Sequence, residues 1–165
     1  MKKLIVLLLA LLPIGAFSQE VKIAFVDFNA IFDVIPEREE AEMQFAAISA
    51  QYQEQFNTLQ TEYQAKAEEY MKLQDTLTEN LKLRRQQEIQ DLTSRIENFA
   101  QQAEQDLQQE QAKLLEPIQV KIADAINAVS EEQGYAYVLD ARALFHTGKN
   151  AIDATPLVKT KLGIR

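Results

Sequence analysis

The chain of 165 residues contains no cysteine and a single histidine, His146. These absences exclude disulfide bonds, thiolate metal sites, a cysteine nucleophile, lipidation through an N-terminal cysteine and a metal site built from several histidines. Glycine and proline are scarce, with four of each, and tryptophan is absent. A chain poor in turn-forming residues and rich in Ala, Gln, Glu, Lys and Leu favours long helices and an elongated molecule.

Positive charge is also in short supply, with 17 Lys and Arg against 25 Asp and Glu and a formal net charge of -8. Nucleic-acid binding depends on neutralising phosphates, so nucleic acid is not an expected partner. The length fits one domain and leaves little room for two independent cores.

The N-terminus has the pattern of an export signal. Lys2 and Lys3 precede the apolar run Leu4 to Leu12, and Ala16 to Ser18 supplies small residues where a signal peptidase cleaves. We therefore predict a signal peptide over residues 1–18, cleavage after Ser18, and a protein of the periplasm. The alternative is a permanent membrane anchor, but a spanning helix needs about 20 apolar residues. Cleavage removes two lysines and no acid, which leaves a net charge of -10.

The mature chain begins with a short β-rich segment. Residues Val21 to Phe28 are β-branched and aromatic, with apolar groups on both faces, and predict a buried strand. Asn29 is the predicted cap of a short helical turn over Ala30 to Phe32. Pro36 suits the first position of a helix.

Residues 36–133 predict a long helical arm, because they contain no glycine and large apolar side chains recur every three or four residues. This spacing is typical of a coiled-coil seam, in which each helix needs a partner. The stripe thins between Phe99 and Leu114, and Pro117 predicts a bend near the body. The stripe consists of Phe45, Ile48, Tyr52, Phe56, Leu59, Tyr63, Ala67, Tyr70, Leu73, Leu77, Ile89, Leu92, Ile96, Phe99, Ala103, Leu107, Leu114, Ile118, Ile122, Ile126 and Val129.

The arm is predicted to reverse near its midpoint. Residues 75–80 gather side chains that compete with helical hydrogen bonds, so we place the tip of an antiparallel hairpin there. The resulting register brings Phe56 and Leu59 near Phe99 and Ile96. The alternative is an unbroken parallel coiled coil.

The C-terminal part returns to β structure. Gly134 is the expected left-handed residue after the long helix. Tyr135 to Leu139 predicts a second strand, and Ala143 to His146 a third. Thr155 is the predicted cap of a last short helix that starts at Pro156.

The two β-rich ends, residues 20–35 and 134–165, are too small to bury an ample core alone, and their strands leave open edges. We therefore predict an α+β, predominantly α fold. Its small β body is closed by oligomerisation and carries a long antiparallel helical-hairpin arm. These arguments leave the number of copies open. The candidate oligomerisation residues are Ile23, Phe25, Val26, Phe28, Tyr137, Val138 and Leu139.

At this point the sequence resembles the OmpH/Skp family of periplasmic chaperones. The resemblance rests on the signal peptide, on the opening strand Lys22 to Asp27 followed by Ile31 and Phe32, and on the ending from Tyr137 through Thr155 into a short helix. A helical hairpin of suitable length lies between these ends. Residues 19–165 are thus expected to form a single chaperone domain of this type.

The resemblance implies a homotrimer in which a β body carries three arms around a central cavity. It implies a holdase that needs neither ATP nor any cofactor or metal and encloses unfolded outer-membrane proteins until membrane assembly. An unfolded barrel protein exposes apolar segments that aggregate in water, and many weak contacts within a cage would prevent this.

One departure from the family concerns charge. Its best-known members are basic, whereas this chain is acidic, which puts a lipopolysaccharide site in doubt. A local exception lies just past the predicted tip, where Lys82, Arg84 and Arg85 are candidates for contact with clients or with an anionic membrane surface. The competing interpretation is an ordinary solvated helix end.

Several chemically capable residues have simpler interpretations. His146 has no second histidine or cysteine to complete a metal site, so no chemistry is assigned to it. Asp27, Asp140 and Asp153 lie near strand ends, where capping and turn roles explain them without catalysis, and we expect no enzyme. The seam tyrosines are also candidate client contacts, namely Tyr52, Tyr63 and Tyr70.

Two functions remain open from the sequence. The first is the holdase just described. The second is a structural or adaptor coiled-coil protein of the cell envelope, which would need the same arm.

Overall fold

The computed structural model describes residues 21–164 and confirms a predominantly helical chain with a small sheet. The predicted signal peptide over residues 1–18 and its cleavage site lie outside the described residues. Within the described range, no helix has a stretch long and apolar enough to cross a membrane. The elements in chain order are β1 (Ile23–Val26), α1 (Phe28–Phe32), α2 (Pro36–Leu73), α3 (Glu79–Gln133), β2 (Tyr137–Asp140), a 3-10 turn (Ala141–Ala143), β3 (Ile152–Asp153) and α4 (Thr155–Lys161).

The arm is the predicted antiparallel hairpin and not an unbroken rod. Helix α2 has 38 residues and α3 has 55, so they are about 57 Å and about 83 Å long at 1.5 Å per residue. The chain reverses between Leu73 and Glu79, where Thr76 donates from its backbone and from its hydroxyl to the Leu73 carbonyl. Helix α3 continues past the start of α2 into the body. It runs through Pro117 as a single helix, so the bend there stays a prediction.

Contacts between α2 and α3 fix the register of the hairpin at three levels. At the root, Lys121 pairs with Glu37, and this ion pair holds the pKa of the Glu37 carboxyl below its ordinary value. In the middle, the rings of Tyr52 and Phe99 are 6.0 Å apart. Near the tip, Arg85 lies 3.3 Å from Glu69 of the other helix.

The sheet is parallel, with β1 between β2 and β3. The prediction of a third strand at Ala143–His146 is wrong, because the 3-10 turn occupies the start of that segment and the third strand is β3. The cause is Asp140, whose carboxylate accepts a hydrogen bond of 2.9 Å from the Arg142 backbone and begins the turn. The Arg142 guanidinium also lowers the pKa of that carboxyl.

The helix ends confirm some predicted caps and correct others. Pro36 begins α2, and Gly134 has the left-handed φ of 66° that closes α3. Asp27 and not Asn29 caps α1, because its carboxylate accepts from Ala30 N at 2.9 Å. This cap helps to end β1 at Val26, two residues before the predicted end at Phe28, and so shortens the predicted strand.

Thr155 is not the cap of the last helix but its first residue. Its hydroxyl instead accepts a hydrogen bond of 2.9 Å from the Asp27 backbone, which ties α4 to the end of β1. The carboxylate of Asp153 accepts from Thr155 N at 2.9 Å and takes the role expected of Thr155. Gly163, at φ 74°, follows the helix.

The core lies where the root of α3 packs against β1, α1 and α4. Ile31, Ile122 and Val158 are fully buried there. The last turns of α3 present a continuous apolar face to this core, formed by Ile118, Ile122, Ala125 and Val129. The β-rich ends therefore rely on the arm's own root for much of their core.

Candidate functional site

The outward face of the sheet is apolar and uncovered. Ile23 lies opposite Tyr137 in the register, and Phe25 lies opposite Leu139. Residues directly opposite each other in a pair of strands lie on the same face of the sheet, so these four residues share one face. The exposed fractions of Ile23, Tyr137 and Leu139 are 49%, 63% and 41%. Parallel sheets are normally covered on both faces. Residues 21–164 cover only one face of this sheet, so its outward face is a candidate docking surface.

The predicted oligomerisation residues divide between the two faces of the sheet. Ile23, Phe25, Tyr137 and Leu139 share the outward face. Val26 is buried in the chain's own core, and the neighbouring side chains of Phe28 and Val138 pack against that core. Alternation along each strand separates the residues into two faces, but the sequence does not show which face the chain's own core covers.

The sheet also has two open edges, since β2 and β3 are the outer strands. Each edge presents backbone donors and acceptors that another chain could pair with. β3 has only two residues, whereas β2 has four and is the longer template.

The middle of the arm is a thin seam with an open groove. Most of the predicted seam residues are only half-buried. Leu73 is exposed, Leu77 lies in the tip turn, and Ile122 and Val129 belong to the core of the body. Phe45, Phe56 and Leu107 line an open groove of about 500 Å³ together with the tilted pair Tyr52 and Phe99. The groove coincides with the segment in which the apolar stripe thins.

The seam tyrosines lie half-buried between the two helices. The Tyr52 hydroxyl donates to Asp106 at 3.0 Å, and this bond raises the pKa of Tyr52. The Tyr70 hydroxyl accepts from the Gln86 amide at 2.7 Å. Both hydroxyls thus bridge α2 and α3, and Tyr63 lines a smaller groove with Ile96. Client contact by these residues stays a prediction.

The three predicted tip cations each have a carboxylate neighbour. Lys82 lies 3.1 Å from Glu79, which raises the pKa of the lysine. Arg84 lies 3.5 Å from Glu88, and its side chain is the most exposed of the three. Arg85 joins two carboxylates, since it contacts both Glu69 and Glu88. The tip is therefore a network of exposed ion pairs.

Apolar side chains outside the seam were missed by the sequence reasoning. Met71, Leu73, Leu81 and Leu83 are exposed on either side of the tip turn, beside the three cations. Met43 and Val120 are exposed nearer the body. Apart from Leu73, which belongs to the predicted stripe, these residues could have been found in the sequence as apolar positions of the arm that fall outside the stripe. Such residues have no partner within a two-helix arm.

The carboxylates set aside in the sequence are caps in the structure. Asp27, Asp140 and Asp153 each accept a hydrogen bond from a backbone amide two or three residues ahead. His146 is exposed. Within residues 21–164, His, Asp and Glu side chains form no cluster of three or more that would hold a metal ion.

Comparison with known proteins identifies a family and several relatives with similar sequences. The profile of the family described as Outer membrane protein (OmpH-like) matches residues 22–162. The chain is 26% identical over 134 residues to the Chaperone protein Skp of Pectobacterium atrosepticum, over 81% of each chain. It is 28% identical over 142 residues to the Chaperone protein Skp of Photorhabdus luminescens, over 85% of this chain and 86% of the relative.

The fold is also similar to a solved structure. A crystal structure of an OmpH-like protein from Caulobacter crescentus CB15 superposes with a TM-score of 0.74 at 14% identity, over 85% of this chain and 82% of that one. At this identity the likeness concerns the fold alone.

Proposed function

The chain belongs to the OmpH-like outer membrane protein family, and from this premise we propose that it is an ATP-independent holdase chaperone of the periplasm. Its clients are unfolded outer-membrane proteins, which it encloses and keeps from aggregating before membrane assembly. Its relatives named Chaperone protein Skp support the chaperone role. The N-terminal export pattern supports the compartment.

The observation that carries this proposal is the long two-helix arm with solitary apolar side chains exposed along both helices. An arm of about 57 Å projects beyond a small body, which is the shape needed to stand beside a bulky unfolded guest. Each exposed apolar residue offers a weak contact, and many weak contacts give high overall avidity with easy release.

The enclosing cage requires several copies, and we propose the homotrimer of the family. Residues 19–165 then act as one domain, with the body in 20–35 and 134–165 and the arm in 36–133. The uncovered apolar face of the sheet and the open edge of β2 support assembly through the body. Three arms around one axis would leave a sheltered space between them.

The holdase proposal is tested by diluting a urea-denatured outer-membrane barrel protein into buffer and following light scattering. We expect scattering to fall strongly at one trimer per client, with or without ATP. An unrelated coiled-coil protein at the same molar concentration is the control. Scattering that is unchanged at equimolar trimer would contradict the holdase and leave the envelope scaffold as the function.

The tip of the arm forms a second part of the proposal, as a weak contact with anionic membrane surface or acidic client segments. The exposed side chains of Met71, Leu81 and Leu83 flank the cations, and apolar and basic groups together are typical of interfacial anchors. The three cations already have carboxylate neighbours, which the anionic partner would have to replace. The contact is electrostatic, so we expect added salt to weaken it by screening.

Reversing the charges of Lys82, Arg84 and Arg85 to glutamate tests the tip. We expect co-sedimentation with anionic vesicles to be lost, since each cation contributes about 1 kcal/mol near such a surface. Neutral vesicles and the single variant Lys159→Glu on α4 serve as controls. If the triple variant binds anionic vesicles as the parent does, the tip is not the contact.

A further inference from the structure

The segment between the 3-10 turn and β3 carries an aromatic side chain that packs against none of residues 21–164. Phe145 is 109% exposed, which is more than in an extended reference peptide. It lies at a bend directly after Leu144, whose side chain is half-buried and anchors the segment. A partner that covered this ring would remove a large apolar surface from water.

The backbone around this side chain is also unpaired. In the described part of the chain, no backbone hydrogen bond joins the amides or carbonyls of Phe145, His146 or Thr147 to another backbone group. The segment thus combines an exposed ring with free donors and acceptors. Such a segment suits docking on a protein surface that offers the same groups.

A matching surface exists on the same body, at the outward face of the sheet. Ile23, Tyr137 and Leu139 provide an apolar patch beside the open edge of β2. Asp153 lies opposite Phe25 in the register and so adds a negative charge to that face. Phe145 does not touch this patch within one chain, since its side chain is fully exposed.

The charges of the two surfaces are complementary. Lys149 follows Phe145 on the projecting segment, and the acceptor face carries Asp153. Among residues 21–164, neither Lys149 nor Asp153 takes part in an ion pair. The projecting segment thus carries an aromatic ring and, four residues later, a cation, whereas the sheet face carries an apolar patch and an anion.

We propose that the occupant of this face is a second copy of the chain, with Phe145 of one copy packed on the Ile23, Tyr137 and Leu139 patch of the next. Donor and acceptor are different surfaces, so the contact runs head to tail and closes into a ring when the rotation permits. This inference rests on the proposed homotrimer and assigns its contact. The projecting segment acts as a hook that joins each body to its neighbour.

The hook is tested first by Phe145→Ser, with Phe145→Leu and Leu157→Ser as controls. Because Phe145 makes no contact within its own chain, the serine variant is expected to keep the helical circular dichroism of the parent. We expect its dissociation constant for assembly to rise by about tenfold or more in sedimentation experiments. Both controls should stay close to the parent. An unchanged constant in Phe145→Ser overturns the hook.

Cross-linking provides a second test, which the cysteine-free sequence makes clean. The double variant His146→Cys with Ala136→Cys keeps Phe145 and Tyr137 in place, because the two new cysteines replace their exposed neighbours. Treated with a short bismaleimide, it should yield covalent dimers and trimers. Pairing His146→Cys with Leu157→Cys should yield few. If the first pair links only within one chain, the hook is wrong while the trimer stands. A parent protein that sediments as a monomer would instead overturn the proposed assembly.

Discussion

Leu139→Glu will convert the assembled protein into monomers and abolish its suppression of aggregation. Leu139 lies on the outward apolar face of the sheet, opposite Phe25. Burying an unpaired carboxylate in an apolar interface costs several kcal/mol, and each copy in the assembly would bear that cost. We expect the dissociation constant to rise by about a thousandfold or more, measured by sedimentation velocity over a concentration series.

The matched control is Leu157→Glu, because the exposed fraction of Leu157 is also 41% and it lies on α4, away from the sheet. This variant should assemble as the parent does. Helical circular dichroism should be retained in both, since the α2 and α3 seam lies within one chain. A Leu139→Glu protein that still assembles normally would show that the sheet face is not the interface.

Ile122→Ala will lower the free energy of unfolding by about 2 to 5 kcal/mol. Ile122 has no exposed surface and lies where α3 meets the rest of the core, so its truncation leaves a cavity. The surrounding elements belong to one rigid cluster and can collapse only in part. Urea denaturation at fixed protein concentration measures the change, because assembly itself adds to stability.

Val120→Ala is the control on the same helix, since Val120 is 52% exposed two residues earlier. Its effect should stay within about 0.5 kcal/mol. Ile122→Val should fall between the two, at about 0.5 to 1.5 kcal/mol. Equal effects of Ile122→Ala and Val120→Ala would contradict the position assigned to the core.

The hairpin could be predicted because its signals are local and repeated. The apolar stripe, the cluster of helix-competing residues at 75–80 and Gly134 act within a few residues, and the structure places the helix ends close to them. The stripe also predicted the register approximately. Phe56 and Phe99 line one groove as expected, whereas the ring that lies 6.0 Å from Phe99 is Tyr52, one turn before Phe56.

The body was harder to predict because its decisive contacts are distant in sequence. Asp27 caps α1 and also donates its amide to Thr155, 128 residues away, which no local pattern reveals. The third strand was predicted in the wrong segment for a similar reason, since β3 forms where it can pair with Ala24 and Phe25 of β1. Two-residue strands carry almost no periodicity to detect.

The core seen in the structure changes the reason for expecting that copies of the chain assemble. From the sequence, partners are needed because the β-rich ends are too small to bury a core. In the structure, Ile118, Ile122 and Val129 of α3 supply much of that core within the same chain. The case for partners now rests on the uncovered sheet face instead. Burial on that face depends on strand register, which composition alone does not determine.

The tip illustrates the same distinction between composition and contact. Three cations within four residues indicate a basic patch, yet every one has a carboxylate within 3.5 Å. Glu69 on α2 contacts Arg85 on α3, so the carboxylate that balances the charge of Arg85 is seen only in the folded hairpin.

Sedimentation equilibrium of the mature chain, residues 19–165, determines whether several copies join through their bodies and surround a protected space. We expect a single species of three times the monomer mass at micromolar concentration. A well-folded species of monomer mass, with full helical circular dichroism and no tendency to associate, would contradict it.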